Sequence, residues 1–302
     1  GAALEQWIGL SGIFWATAAF ALIGIAILHL WVPSPIRRTS HRDMEPVPQQ
    51  FTRVLRNPEI MRMVFSIMLL HLLLTTSFFA LPINLFEQAG LPREQHAMAY
   101  LPVLVLAFIA MVPFIIIAEK HRKMRPVFIG SVLVLGVVQV LWALFDNSVT
   151  GILIGLWLFF TAFNILEASL PSLMSKLSPL ENKGTALGIY STAQFLGAFI
   201  GGAAGGFLYG EFGATGVFVA GACITVVWLI FIIPMRQPRH LSTRILELII
   251  LSEDNADDIA RQLNGINGVV ETMIVTSEQV AYVKFVPEEI NIDELDAFSY
   301  SP

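Results

Sequence analysis

Glu167 is the one acidic side chain set deep within a long apolar run of this 302-residue sequence, and Asn164 lies three residues before it. Three residues are about one helical turn, so the two groups share a face with Phe160. A carboxylate in apolar surroundings is costly unless it takes a proton, meets a cation or reaches water. Glu167 therefore offers proton binding, capture of a cationic ligand, or an ion pair with Lys176 or Lys183 that holds a gate, at a depth that water reaches from the basic side. His71 sits near the middle of another apolar run, about 15 Å in, and histidine is the side chain whose charge ordinarily changes near neutral pH. Its other reading is a neutral ring bonded to a neighbouring helix. Tyr190 and Gln194, four apart on a third run, suit either substrate hydrogen bonding in a central cavity or helix–helix hydrogen bonding. Asn84, with Phe78 and Phe79, adds candidates for the same cavity on the run that carries His71.

Seven apolar runs must position these groups: 7–32, 60–85, 97–118, 127–145, 152–173, 186–209 and 214–235. Each reaches about the twenty residues that a bilayer-crossing helix needs. The connections alternate in charge. Arg37, Arg38, Arg42, Arg53 and Arg56 follow the first run, and Lys120, Arg122, Lys123 and Arg125 follow the third. Lys176 and Lys183 follow the fifth, and Arg236, Arg239 and Arg244 the seventh, whereas the other connections hold only Arg93. Basic loops stay in the cytoplasm, so one orientation accounts for every loop and puts the C-terminus there too. Hydrophobic residues make up 55% of the chain and charged residues 14%, well short of the roughly one quarter usual in soluble domains. The mean hydropathy is +0.70. Membrane lipid is thus an expected partner. The single cysteine, Cys223, permits no intrachain disulfide and reads as a small packing residue inside the last run.

Residues 33–58 are rich in proline and arginine and read as a cytoplasmic linker, with a short surface helix around 49–55. Residues 1–32 then form one span, residues 59–236 a bundle of six, and residues 244–302 a soluble domain. In that tail a strand at 245–251, a helix over 256–266, strands at 269–276 and 280–286 and a helix from 292 give the order β-α-β-β-α of a ferredoxin-like fold without its last strand. The tail is acidic, which argues against nucleic acid as a partner. Its first loop, from Ser252 to Asn255, has no thiol or imidazole, so no thiolate metal site is expected. Docking on the cytoplasmic loops, or binding a regulatory ligand, suits it better.

Six spans after a long basic connector resemble the second half of the major facilitator superfamily, with the first run as the sixth span of the first half. The loop Ala118-Glu119-Lys120-His121-Arg122-Lys123-Met124-Arg125-Pro126 is similar to the second copy of that family's acidic–basic signature loop, without its leading glycine. Glu119, Lys120, Arg122 and Arg125 carry the match. Gly197, Gly201 and Gly205, with Gly202, Gly206 and Gly210 beside them, resemble the glycine signature of the family's antiporters, transferred to the eleventh span by internal symmetry. The tail narrows the resemblance to the drug:proton antiporter branch of bacterial inner membranes. What it implies is an all-α membrane fold, the second six-helix bundle plus the last helix of the first, with a small α+β ferredoxin-like domain at the C-terminus. It implies a multi-pass inner-membrane exporter of small organic molecules, coupled to protons and working by alternating access. The missing N-terminal six-helix half is then a partner, and the proton gradient the energy source with no cofactor. Glu167 and His71 would titrate, and Asn164, Tyr190, Gln194 and Asn84 would contact substrate.

No glycine-rich nucleotide loop, nucleophile elbow or histidine zinc motif occurs in the sequence, so neither ATP hydrolysis nor an enzyme is expected, nor a bound metal. The rival reading is a membrane-embedded sensor whose ferredoxin-like tail signals or binds a regulatory ligand.

Overall fold

The computed structural model describes residues 2–32, 48–145, 148–235, 237, 241–248, 253–276 and 278–299. Helix α1 (Ala2–Trp31) turns Trp7, Phe14, Trp15 and Phe20 outward and buries almost nothing against the other described residues. Helix α2 (Pro48–Leu55) is the short amphipathic helix expected in the linker, anchored by buried Val54. The rest of the linker, 33–47, lies outside the described residues.

Asn57 starts the bundle. Its side chain accepts the backbone N–H groups of Glu59 and Ile60 at 3.0 and 3.4 Å, and Pro58 supplies a φ suited to the first turn of α3 (Pro58–Glu87). Helices α4 (Arg93–Glu119), α5 (Met124–Leu144), α6 (Val149–Leu177) and α7 (Lys183–Ile232) follow. Six helices are long and apolar enough to cross a bilayer, one fewer than the seven apolar runs. The difference lies in α7, which joins the last two. Its 50 residues would extend about 75 Å if straight, more than twice the roughly 30 Å of a hydrocarbon core. They do not run straight. Gly213 takes φ +65°, ψ −167°, a backbone conformation that L-residues with a Cβ rarely adopt, and the chain reverses there. The reversal is visible in the packing. Gly197 of the first limb meets Met68 of α3, and Trp228 of the second limb donates to Ser66 of the same helix at 2.9 Å. Residues 31 positions apart thus stand at one level, so α7 is two antiparallel spans.

Helix α3 is the hub, and its hydroxyls stitch the bundle together. Besides Ser66, Thr75 donates to the Ala198 carbonyl at 3.0 Å and Thr76 to that of Gly201 at 2.9 Å, while Ser77 accepts from Gln139 of α5 at 2.7 Å. Lipid tails are as apolar as the side chains they touch, so close packing and such hydrogen bonds supply what burial from water supplies in a soluble core. The two glycine ridges of α7 differ in role. A Cβ on Gly197 would strike the Met68 backbone, one on Gly201 would strike Thr75 and the Leu72 carbonyl, and one on Gly205 would come within 3.1 Å of Thr76 Cα. Gly202 and Gly210 face open space. Only the first ridge brings two backbones together. Cys223 is exposed rather than packed, correcting the packing reading: it lies on the outward side of a limb that turns Thr225 and Trp228 inward.

The tail forms a three-stranded antiparallel sheet, order β1-β3-β2, from β1 (Ser242–Glu247), β2 (Val269–Val275) and β3 (Val280–Phe285), with α8 (Glu253–Gly265) crossing over between β1 and β2 and α9 (Ile292–Asp296) after β3. β1 begins three residues before the expected strand, whose last residues, 249–251, lie outside the described residues. Leu246, Ala281, Val283 and Phe285 pack with Leu263 and Leu295 into a core separate from that of the bundle.

Gly197→Ala is expected to force α3 and α7 apart and cost about 1–3 kcal/mol, while Gly202→Ala costs nothing measurable. Thermal unfolding in detergent monitored by tryptophan fluorescence would separate the two. Equal midpoints for both variants would mean that the close approach does not hold the bundle.

Candidate functional site

Three helices bring His71, Glu167 and Gln194 together. Each lies roughly 15–20 Å along its helix from the end on the basic side. α6 continues to Leu177, beyond the run read from sequence, so Glu167 is deeper than expected. The glycine ridge sets the meeting point, because Gln194 lies one turn before Gly197 and so faces α3 at the level of His71. The Gln194 amide nitrogen donates to His71 Nε2 at 2.9 Å and to Glu167 Oε1 at 3.4 Å. His71 Nδ1 lies 3.3 Å from the Ile67 carbonyl and donates to it. The ring is therefore neutral in this arrangement, with its proton on Nδ1. Glu167 Oε2 stands 3.9 Å from His71 Nε2, buried and with no hydrogen-bond partner among the described residues.

Aromatic rings wall this cluster. Phe163 meets the His71 ring edge-on at 5.8 Å, Phe160 meets Phe163 edge-on at 6.2 Å, and Phe78 meets Phe160 at 5.4 Å. They cover part of the polar groups and offer π faces to a ligand. The buried Tyr190 hydroxyl, also unpartnered among the described residues, lies within electrostatic reach of Glu167. Asn164 is half-buried one turn from Glu167 and takes no part in the hydrogen bonds joining Glu167, Gln194 and His71. Asn84 is elsewhere. It is buried thirteen residues beyond His71 on α3, about 20 Å away, and its backbone carbonyl accepts the N–H groups of Gln88 and Ala89. Phe79 faces Tyr209 at that end. Phe163 was not singled out from the sequence; its spacing of four from Glu167 would have placed it on the same face.

The signature-loop residues form a second, separate cluster at the basic end. Lys176 pairs with Glu119, at 2.9 and 3.1 Å from its two carboxylate oxygens, so it is not the partner of Glu167. Ser172 donates to the same carboxylate at 3.4 Å. Arg125 donates to the Ile233 carbonyl at 2.8 Å, tying the loop to the end of α7, and Lys120 is exposed. Arg122 pairs with Glu288 of the tail. Across the same junction Glu271 accepts the Leu180 N–H at 3.1 Å, and Lys284 donates to the Ser178 carbonyl at 3.0 Å. Lys284 and Glu271 stand opposite each other on β3 and β2, on the sheet face turned away from the tail's core. Burial holds the Lys284 ammonium below the usual lysine range, with Glu271 acting against that shift and Lys183 adding to it. The bare face of the sheet thus seats on the turn between α6 and α7, beside a cleft of about 580 Å³ lined by Glu119, Arg122, Lys176, Gln237 and Glu288.

Comparison with known proteins places these features in a lineage. A profile described as Major Facilitator Superfamily matches residues 104–251. The Inner membrane transport protein YajR of Escherichia coli is 38% identical over 98% of this chain and 65% of its own length. An uncharacterized transporter of Buchnera aphidicola subsp. Schizaphis graminum is 30% identical over 76% of this chain and 58% of its own. The chain therefore spans about two thirds or less of the relatives it matches. A solved structure titled as the POT family transporter PepTSo overlays with a TM-score of 0.49 at 20% identity, over 58% of this chain and 36% of that one.

Lys284→Met keeps the stem but leaves the Ser178 carbonyl without its donor, a loss of about 1–3 kcal/mol. With Cys223 replaced by serine and spin labels at Lys120 and Ile292, the expected result is a broadened distance distribution in the variant. An unaltered distribution would show that this contact does not hold the tail in place.

Proposed function

This chain belongs to the major facilitator superfamily, and on that premise we propose that the whole protein is a proton-coupled secondary transporter that exports small organic molecules by alternating access. It would lie in the inner membrane, with the basic loops and the tail in the cytoplasm. The observation that carries the reading is the half-buried Glu167 carboxylate, whose Oε2 is covered and has no hydrogen-bond partner among the described residues, 3.9 Å from the neutral His71 ring.

The chemistry follows from donors and acceptors. While Gln194 donates to His71 Nε2, that nitrogen has no proton. A proton arriving there displaces the Gln194 N–H, because two donors cannot face each other, and the new N–H points toward Glu167 Oε2. An imidazolium beside a carboxylate, walled by Phe160 and Phe163, is an attraction that the neutral state lacks, and low polarity strengthens it. Protonating Glu167 at Oε2 instead cancels its charge and weakens the bond that Oε1 accepts from Gln194. Either event changes what binds α3, α6 and the first limb of α7 to each other. A proton that alters those contacts can bias two arrangements of the bundles, which is the thermodynamic requirement for coupling. Tyr190 and Asn164, beside the carboxylate, are placed to contact a substrate competing for the same charge. The glycine ridge lets α7 slide or pivot on α3 without a side chain in the way.

A membrane-embedded sensor would bind ligand through the same cluster but carry no flux. In proteoliposomes containing the full-length protein, Glu167→Gln is expected to abolish the dependence of substrate flux on the pH gradient while leaving downhill exchange in place. Flux that responds to pH as in the wild type would remove Glu167 from coupling, and binding without flux in the wild type would favour the sensor.

A further inference from the structure

On the outer side of the bundle, between α4, α5 and α6, lies a groove of about 470 Å³ whose walls are almost wholly apolar. Phe114 and Ile117 form one wall, Gly130 and Val134 another, and Trp157 part of the floor. Its polar floor groups are spoken for or covered: the Thr161 hydroxyl donates to the Trp157 carbonyl at 2.7 Å, and Ser131 is buried. Gly130 opens the groove, since a Cβ there would meet nothing within 4 Å. At the end beside the basic loops stands exposed Lys123, whose ammonium has no ion pair among the described residues. Helix α5 begins at the next residue, with no acidic side chain in its first turn, so the local field there favours an anion.

We propose that this groove is a binding site for one anionic phospholipid, an acyl chain lying along Gly130 and the headgroup phosphate held at Lys123. Three observations carry the assignment. The walls offer no hydrogen bonds, which suits a hydrocarbon chain. Pro126 to Val134, eight helical rises along α5, give the groove a depth of about 12 Å, within the roughly 15 Å of one leaflet's hydrocarbon. The only charge on its rim among the described residues is positive and at the end where the basic loops gather, the side on which anionic lipid meets basic segments. A bulk lipid would touch the same walls, but a chain seated in a groove and tethered by a cation exchanges more slowly and shows headgroup preference.

Native mass spectrometry of the full-length protein, released from detergent after equilibration with phosphatidylglycerol or phosphatidylcholine, tests the site. The wild type is expected to retain one phosphatidylglycerol about fivefold more than phosphatidylcholine, as one lysine near the membrane surface predicts. Lys123→Gln should bring the two lipids to equal retention, and Gly130→Phe, whose Cβ would meet nothing within 4 Å and whose ring would fill the groove, should abolish the retained molecule of either lipid. A benzophenone amino acid at Gly130 should crosslink to lipid. Unchanged retention in Gly130→Phe would falsify the proposal. A crosslink from position 130 to another stretch of protein would do the same, since it would make the groove a seat for a protein segment.

Discussion

Everything near the centre of this bundle depends on how closely two backbones approach. Gly197, Gly201 and Gly205 let the first limb of α7 lie directly against α3, close enough for Thr75 and Thr76 to bond carbonyls of α7. Without hydrophobic drive in lipid, that contact is where dispersion and interhelical hydrogen bonds can act. It also fixes register. With Gly197 set on Met68, Gln194 can only face His71, and α6 then brings Glu167 to the same amide. The polar cluster is a consequence of the packing.

Gln194 is well chosen for its place between a base and an acid. Its amide has two N–H donors, and one is spent on each neighbour, so a neutral imidazole and a carboxylate share a single side chain. A proton on His71 Nε2 breaks one of these bonds and a proton on Glu167 weakens the other, in surroundings where an unpaired polar group is costly. A bistable element of this kind is what a switch needs. At the basic end a different principle operates. The tail seats through three polar links spread over two loops: the Arg122–Glu288 pair is exposed and weak by itself, the Lys284–Ser178 bond is buried, and their joint geometry sets where the sheet rests.

Much of the architecture could be read from residue order. The alternation of basic and neutral connections, the short linker helix and the strand–helix–strand–strand–helix order of the tail all correspond to elements in the structure, because hydrophobic length, charge and periodicity act locally. Three readings failed for want of neighbours. Cys223 is exposed, since an apolar run does not reveal which side of a helix meets protein and which meets lipid. Glu167 and Lys176 are not partners, because Lys176 is claimed by Glu119 from another helix. Of two adjacent glycine ridges only one is an interface, and spacing alone treats both alike.

Composition and periodicity by themselves determined that lipid is the solvent for this protein, where its helices run and that basic connections alternate with neutral ones, because those properties are sums over single segments. Tertiary structure alone decided that His71, Gln194 and Glu167 form one cluster, that Asn84 stands about 20 Å from it, and that the tail's bare sheet face covers the turn at Leu180. These are relations between segments more than a hundred residues apart in several cases, set by which backbones can touch, and no property of one segment encodes them.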